Sequence, residues 1–175
     1  MIFFDHFRMT SPSSGEAYDK LADLGLQQGV YNEGLLLVPD LSTSKQILAG
    51  WQPLLGDATV LATTAFGDIF FWSSQFEAVF FLEVQRGQST FVTRNLDFLF
   101  NDFLLKPEIH EDVLRESTAA KLFNKLGALN VNECLVAEPW LRHGGNGSID
   151  TYTRGSLVVY SNLVATDVLS SMKQD

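Results

Sequence analysis

The sequence predicts an α+β fold, with a mainly antiparallel sheet of about four to six strands covered by helices and a helical C-terminal half. Three observations predict it. Between Thr59 and Thr93 four runs of β-branched and aromatic residues follow one another, each of strand length and each separated from the next by a short turn. From Asn95 onward, apolar residues recur largely at helical spacing instead. Finally, Ile69-Phe70-Phe71-Trp72 is apolar on both faces of a strand, so helices are expected to cover both sides of the sheet.

Taken in order, Thr10 to Gly15 reads as a turn-rich loop. Glu16 to Gln28 carries Ala17, Leu21, Leu24 and Leu26 at helical spacing, with Gly25 and Gly29 near its stop. Gly34 to Val38 is a short apolar run closed by Pro39, which favours a strand. Ser42 or Ser44 can cap a helix running toward Trp51. The central strands are Thr59 to Phe66, Ile69 to Ser73, Glu77 to Val84 and Ser89 to Thr93, an antiparallel meander with Gly67-Asp68 as a tight turn. Asn95 then caps a helix from Leu96 to Leu105, and Pro107 ends it or opens the next. Glu108 to Glu116 and Thr118 to Leu126 continue the helical half, with Gly127 as a C-cap. Glu133 to Glu138 is a buried strand before Pro139, Ser148 to Thr153 a further strand, and Gly155-Ser156 opens a last helix. The polar tail from Ser170 to Asp175 is expected to fray.

Apolar residues make up 46% of the 175, enough for a sizeable core, and Phe alone supplies 14. No segment approaches the roughly 18 consecutive apolar residues of a membrane span, and no signal-peptide core follows the first residues. The single cysteine, Cys134, has no partner for an internal disulfide, which fits a reducing compartment. These features together predict a cytoplasmic protein. Lys and Arg total 12 against 21 Asp and Glu, a net charge of −9. Such a chain is poorly suited to neutralising phosphates, so direct nucleic-acid binding is not expected. The acidity either keeps the protein in solution or steers a basic partner toward it.

Few residues look chemical. His6, His110 and His143 are far apart, with no HxxxH, HExxH or CxxC spacing, so neither a metal site nor a cofactor is expected. Cys134 lies in the apolar run Cys134-Leu135-Val136-Ala137, where a thiol behaves as a small hydrophobe rather than a nucleophile. With no nucleophile, base and orienter in view, no catalytic residue is assigned and enzymatic activity is not expected. The loop Arg142-His143-Gly144-Gly145-Asn146-Gly147 is either a flexible turn or a backbone nest for an anion or small ligand, with Arg142 and Arg154 supplying charge. Asp68 reads first as a turn residue and second as a polar contact in a cleft. The carboxylates Asp97, Asp102, Glu108, Glu111, Asp112 and Glu116 are offset in their span only by Lys106 and Arg115. They form a solvated helical surface or, in an inhibitor of a nuclease, a cover for its basic cleft.

Three segments resemble a known family. Tyr31-Asn32-Glu33-Gly34-Leu35-Leu36-Leu37-Val38, followed by Trp51, resembles the GLLWLV…W start of the GAD-like domain. Thr64-Ala65-Phe66-Gly67-Asp68-Ile69-Phe70-Phe71-Trp72 is similar to its TAFGD-hydrophobic-W core, the most specific of the three. Glu133-Cys134-Leu135-Val136-Ala137-Glu138-Pro139-Trp140-Leu141, then Gly144-Gly145, resembles the ECYGF.PAL.LGG element of the adjoining C-terminal domain. Together they are similar to immunity proteins of type VI secretion DNase effectors and their relatives. The upstream helix is shorter than in that family and lacks its LP and Trp, and Leu135 stands where an aromatic is usual.

The resemblance implies a β-rich GAD-like part over residues 1–105 and a helical part over residues 106–175, packed as one compact unit. It implies a protein that binds and neutralises a cognate toxin stoichiometrically, the toxin being basic and a nuclease, and it implies no catalytic residue. Its motif residues Thr64, Ala65, Phe66, Gly67, Asp68, Trp72, Glu133, Cys134 and Pro139 carry fold rather than activity. The alternative expectation is a small-molecule or anion-binding module that uses the Arg142 to Gly147 loop.

Overall fold

The computed structural model describes residues 1–174. A seven-stranded sheet carries the first half: β1 (Met9–Pro12), β2 (Gly29–Tyr31), β3 (Leu36–Val38), β4 (Ala58–Thr64), β5 (Ile69–Ser73), β6 (Ala78–Glu83) and β7 (Gln88–Thr93). The strands lie in sequence order and every neighbouring pair is antiparallel. A separate antiparallel pair, β8 (Glu133–Ala137) and β9 (Tyr152–Ser156), stands in the second half. The helices are α1 (Phe3–His6), α2 (Asp19–Ala22), α3 (Leu41–Leu48), α4 (Gln52–Leu55), α5 (Leu96–Asn101), α6 (Pro107–Asp112), α7 (Glu116–Leu126) and α8 (Leu157–Met172). The fold is α+β, as expected.

Apolar alternation explains the layering. Along β5, Phe70 and Trp72 join one core, while Ile69 and Phe71 join the other. The first core gathers Phe3, Phe7, Leu99, Phe100 and Leu122, from α1, its C-cap, α5 and α7. The second gathers Ile47, Trp51, Leu157, Val164 and Val168, from α3, the 3-10 turn Ala49–Trp51 and α8. A strand apolar on both faces therefore has helices on both sides. β8 repeats the pattern, with Leu135 and Ala137 in the first core and Cys134 and Val136 in the second. Residues before and after position 105 contribute to both cores.

α8 is bonded down by polar groups. Trp51 Nε1 donates to Ser161 Oγ at 3.0 Å, and Ser161 Oγ donates to the Ile47 carbonyl at 2.8 Å. Asn162 accepts from the Gly50 amide at 2.7 Å and donates to the Gln46 carbonyl at 2.8 Å.

Several local expectations are corrected. The sheet has seven strands rather than four to six, because β1 takes in Thr10 to Pro12 of the segment expected as a loop, a polar edge strand paired to the unanticipated β2. Burial of Val30 and Tyr31 rather than any alternation makes Gly29–Tyr31 a strand. The helix expected over Glu16 to Gln28 shrinks to α2, and Gly25 at φ 75° turns the chain out of helix. Asp40, not Ser42 or Ser44, caps α3, its Oδ1 accepting from the Thr43 amide at 2.7 Å. Ser44 is buried and accepts from the Val60 amide instead. The strand expected over Ser148 to Thr153 starts at Tyr152, after a 3-10 turn (Ile149–Thr151). Asn95 and Ser156 cap α5 and α8 as expected, with acceptor contacts to the Phe98 and Val159 amides. α8 extends to Met172, past the start of the tail expected to fray, and Asp175 lies outside the described residues. Among the described residues no helix is long and apolar enough to cross a membrane.

Candidate functional site

The β4–β5 turn is built by its own side chains. Thr64 Oγ1 accepts from the Phe66 and Asp68 amides at 3.3 and 3.2 Å, and the Gly67 amide donates to the Thr64 carbonyl. Gly67 sits at φ 82°, and a Cβ there would lie 2.9 Å from the Tyr160 ring. The Ala65 carbonyl accepts from the Leu135 amide at 2.7 Å, which ties β8 to the turn. The turn thus joins the large sheet, β8 and α8, and it points Phe66 and Asp68 into a cleft of about 700 Å³.

Four further residues of the cleft come from distant segments. Gln85 follows β6, Arg115 precedes α7, Tyr152 opens β9 and Tyr160 lies on α8. Arg115 has left-handed backbone dihedrals, φ 55° and ψ 47°, a conformation that costs a non-glycine residue about 1–2 kcal/mol. Its guanidinium lies 3.9 Å over the Phe66 ring and donates through Nη2 to Tyr152 Oη at 3.1 Å. Tyr152 in turn packs edge-on to Phe66 at 5.6 Å. Tyr160 Oη accepts from Gln85 Nε2 at 2.7 Å.

Asp68 forms part of the cleft lining. Its Oδ1 accepts from the Val84 amide at 3.0 Å. Burial pushes its carboxyl up to about 7, with the nearby Glu83 charge acting in the same direction, while the Val84 bond and the Arg115 charge act against it. Burial likewise raises the Tyr160 phenol. The cleft therefore holds a carboxyl that exchanges its proton near neutrality beside a guanidinium and two phenols.

The sequence-predicted residues divide sharply. Phe66, Asp68, Asp112 and Arg142 reach the cleft. Ala65 and Gly67 shape its turn, and Trp72 lies on the sheet with Lys20 Nζ 4.9 Å over its ring. Glu133 pairs with Arg154 at 2.7 Å, and this bond holds the Glu133 carboxyl below the usual range. Cys134 is fully buried, and burial first, then the Asp68 and Glu133 charges, push its thiol up to about 12. That thiol is a core group, as expected. Pro139 follows β8 after a cis peptide bond.

The loop from Arg142 to Gly147, expected as a turn or as an anion nest, begins in a 3-10 turn. Arg142 Nε and His143 Nε2 both reach Asp167 Oδ2 on α8, and His143 first, then Arg142, hold that carboxyl below the usual range. Arg142 also donates to the Gln85 carbonyl at 2.9 Å and to Ser171 Oγ at 3.2 Å. The guanidinium of Arg142 is thus turned onto a carboxylate of the protein, as that of Arg154 is onto Glu133, so both charges expected to hold an anion are already paired. Gly144 ends the 3-10 turn Leu141–His143 at φ 87°. A Cβ at Gly145 would fall 2.0 Å from the Pro139 carbonyl oxygen, so close chain approach accounts for the glycine. Among the described residues no group of three His, Cys, Asp or Glu side chains is placed to hold a metal ion.

Asp97, Asp102, Glu108, Glu111 and Asp112 are exposed and Glu116 is half-exposed. Asp102 pairs with Lys106 at 3.3 Å, Glu111 accepts from Ser117 at 2.8 Å, and Glu116 lies 2.9 Å from His110 Nδ1. Sequence reasoning missed Arg115, Tyr152, Gln85 and Tyr160 as site residues. The one available signal was Arg115 itself, a cation inside an acidic stretch.

No known family profile matches the chain, and no curated protein matches it. Among solved structures, the crystal structure of Atu4351 from Agrobacterium tumefaciens is similar, with a TM-score of 0.64 at 14% identity. The match covers 93% of this chain and 86% of that one. At that identity the likeness shows a shared fold.

Proposed function

We propose that the protein is an immunity-type protein of the cytoplasm, binding a cognate basic toxin stoichiometrically and blocking it. The observation that carries this reading is the acidic surface between Asp97 and Glu116. Of its two cations, Arg115 is turned inward over Phe66 and Lys106 is paired with Asp102. The solvent face is left with an excess of carboxylates, in keeping with a net charge of −9 for the whole chain. Such a field attracts a basic partner and raises its association rate. A nuclease presents a basic cleft for its substrate phosphates, and this face would occupy it in their place. The resemblance of the Tyr31–Val38, Thr64–Trp72 and Glu133–Leu141 segments to GAD-like immunity proteins of type VI secretion DNase effectors supports the same reading.

The test is association kinetics with the protein encoded beside this one. The E108Q/E111Q/D112N triple variant changes only exposed groups of α6. Its association rate should fall about tenfold at low salt and converge on the parent rate at high salt, where surface charges are screened. Equal rates at low salt would remove the acidic face from recognition.

A further inference from the structure

The cleft between the β4–β5 turn and Arg115 has the features of a ligand site in its own right, sharing Asp112 with the acidic face and resting on no toxin. Its volume of about 700 Å³ is in the range of small-molecule pockets. Its walls include Phe66, Phe81, Phe103, Leu135, Tyr152 and Tyr160, five aromatic rings and one aliphatic side chain. The other two arginines of its lining are already neutralised, Arg86 by Glu83 at 3.2 Å and Arg142 by Asp167. Arg115 forms no ion pair with any described residue. It is also the one lining residue among the five non-glycine residues with positive φ, and strain of that kind collects at binding sites.

The chemistry of the ligand follows from these groups. With one face on Phe66, the guanidinium offers its remaining N–H groups in plane, the geometry that matches a carboxylate. The aromatic walls suit a flat apolar body. We propose that the cleft binds a small aromatic carboxylate, its anionic head on Arg115 and beside Asp68, its ring system among Phe66, Phe81 and Phe103.

Asp68 adds a proton condition. In its protonated form it donates to the ligand carboxylate, and in its ionised form it repels it. The charged and titratable groups that bear on Asp68 are Glu83 on β6, Arg115 before α7, Cys134 on β8 and Tyr160 on α8. With the thiol and phenol raised, neither ionises near neutrality. Because the Asp68 carboxyl is pushed up to about 7, binding should be tight below that pH and weaken above it.

The test is calorimetric titration of the whole protein with 2-naphthoate, which stays ionised across neutrality, beside the neutral isostere 2-naphthalenemethanol. The naphthoate should bind more tightly at pH 6 than at pH 8, and the alcohol roughly tenfold or more weakly than the acid at pH 6. Arg115→Asn should bind naphthoate roughly tenfold or more weakly, while its melting temperature holds, since Asn tolerates the left-handed backbone. Asp68→Asn keeps an acceptor for the Val84 amide and supplies a permanent donor, so it should bind naphthoate equally at both pH values. Equal binding of acid and alcohol, no binding of naphthoate at millimolar concentration, or an undiminished pH dependence in Asp68→Asn would each overturn the proposal. Should Arg115→Asn fail to fold, the Asp68→Asn profile and the acid–alcohol comparison decide it.

Discussion

Replacing Asp68 with Asn should stabilise the protein at pH 8 and leave its stability almost unchanged at pH 4. The carboxyl belongs to the turn that joins β4 to β5, and burial against the cleft raises it from 3.8 to about 7. A carboxyl raised on folding favours the folded state fully below its unfolded value. That advantage is lost as pH rises through the folded value. Between about pH 4 and pH 7 the unfolded chain ionises Asp68 while the native protein keeps it protonated, so stability falls across that window. The shift corresponds to at most about 4 kcal/mol, and access of water through the cleft reduces it to on the order of 2–3 kcal/mol. Asn removes the charge and keeps an oxygen for the Val84 amide. Melting curves of the two proteins from pH 4 to pH 8 should diverge by several degrees, with the variant higher. Parallel curves would mean that folding does not raise the Asp68 carboxyl, and a variant that falls further below the parent as pH rises would mean that Asp68 is ionised and stabilising in the native state.

Gly67→Ala should destabilise the protein by more than its backbone conformation alone accounts for. The residue stands at φ 82°, where an alanine costs about 1–2 kcal/mol. Its new Cβ would meet the Tyr160 ring at 2.9 Å, and overpacking of that kind adds about 1–3 kcal/mol. Gly144 separates the two causes. It has a similar φ of 87° but no heavy atom within 4 Å of the added Cβ. Gly144→Ala should therefore lose only the backbone share. Urea denaturation of both variants measures the difference. Equal losses would show that Tyr160 yields to the methyl and that the turn does not fix the position of α8.

The residues explain which features were legible beforehand. β5 was placed at its observed limits because Ile69-Phe70-Phe71-Trp72 leaves no alternative to a doubly covered strand. Asn95, Pro107, Gly127 and Ser156 mark helix ends through local chemistry, and each stands at a helix boundary. β1 and β2 were not legible, because a polar edge strand and a three-residue strand with Gly29 carry no alternation. Their pairing comes from the sheet they join. The cleft was half legible. Phe66 and Asp68 stood out through their motif, yet Tyr152 and Tyr160 lie 37 and 45 residues beyond Arg115 and meet it only through tertiary packing. The counter-charge of the loop from Arg142 to Gly145 was not legible for the same reason, since Asp167 lies 24 residues past His143 on another element.

The central claim is neutralisation of a toxin, and co-expression tests it most directly. The protein encoded beside this one would be induced in a sensitive host, alone and together with this chain. Neutralisation predicts that growth stops in the first case and returns in the second, with the two proteins purifying as one complex. A harmless neighbour, or toxicity that persists while both proteins accumulate in folded form, would contradict it.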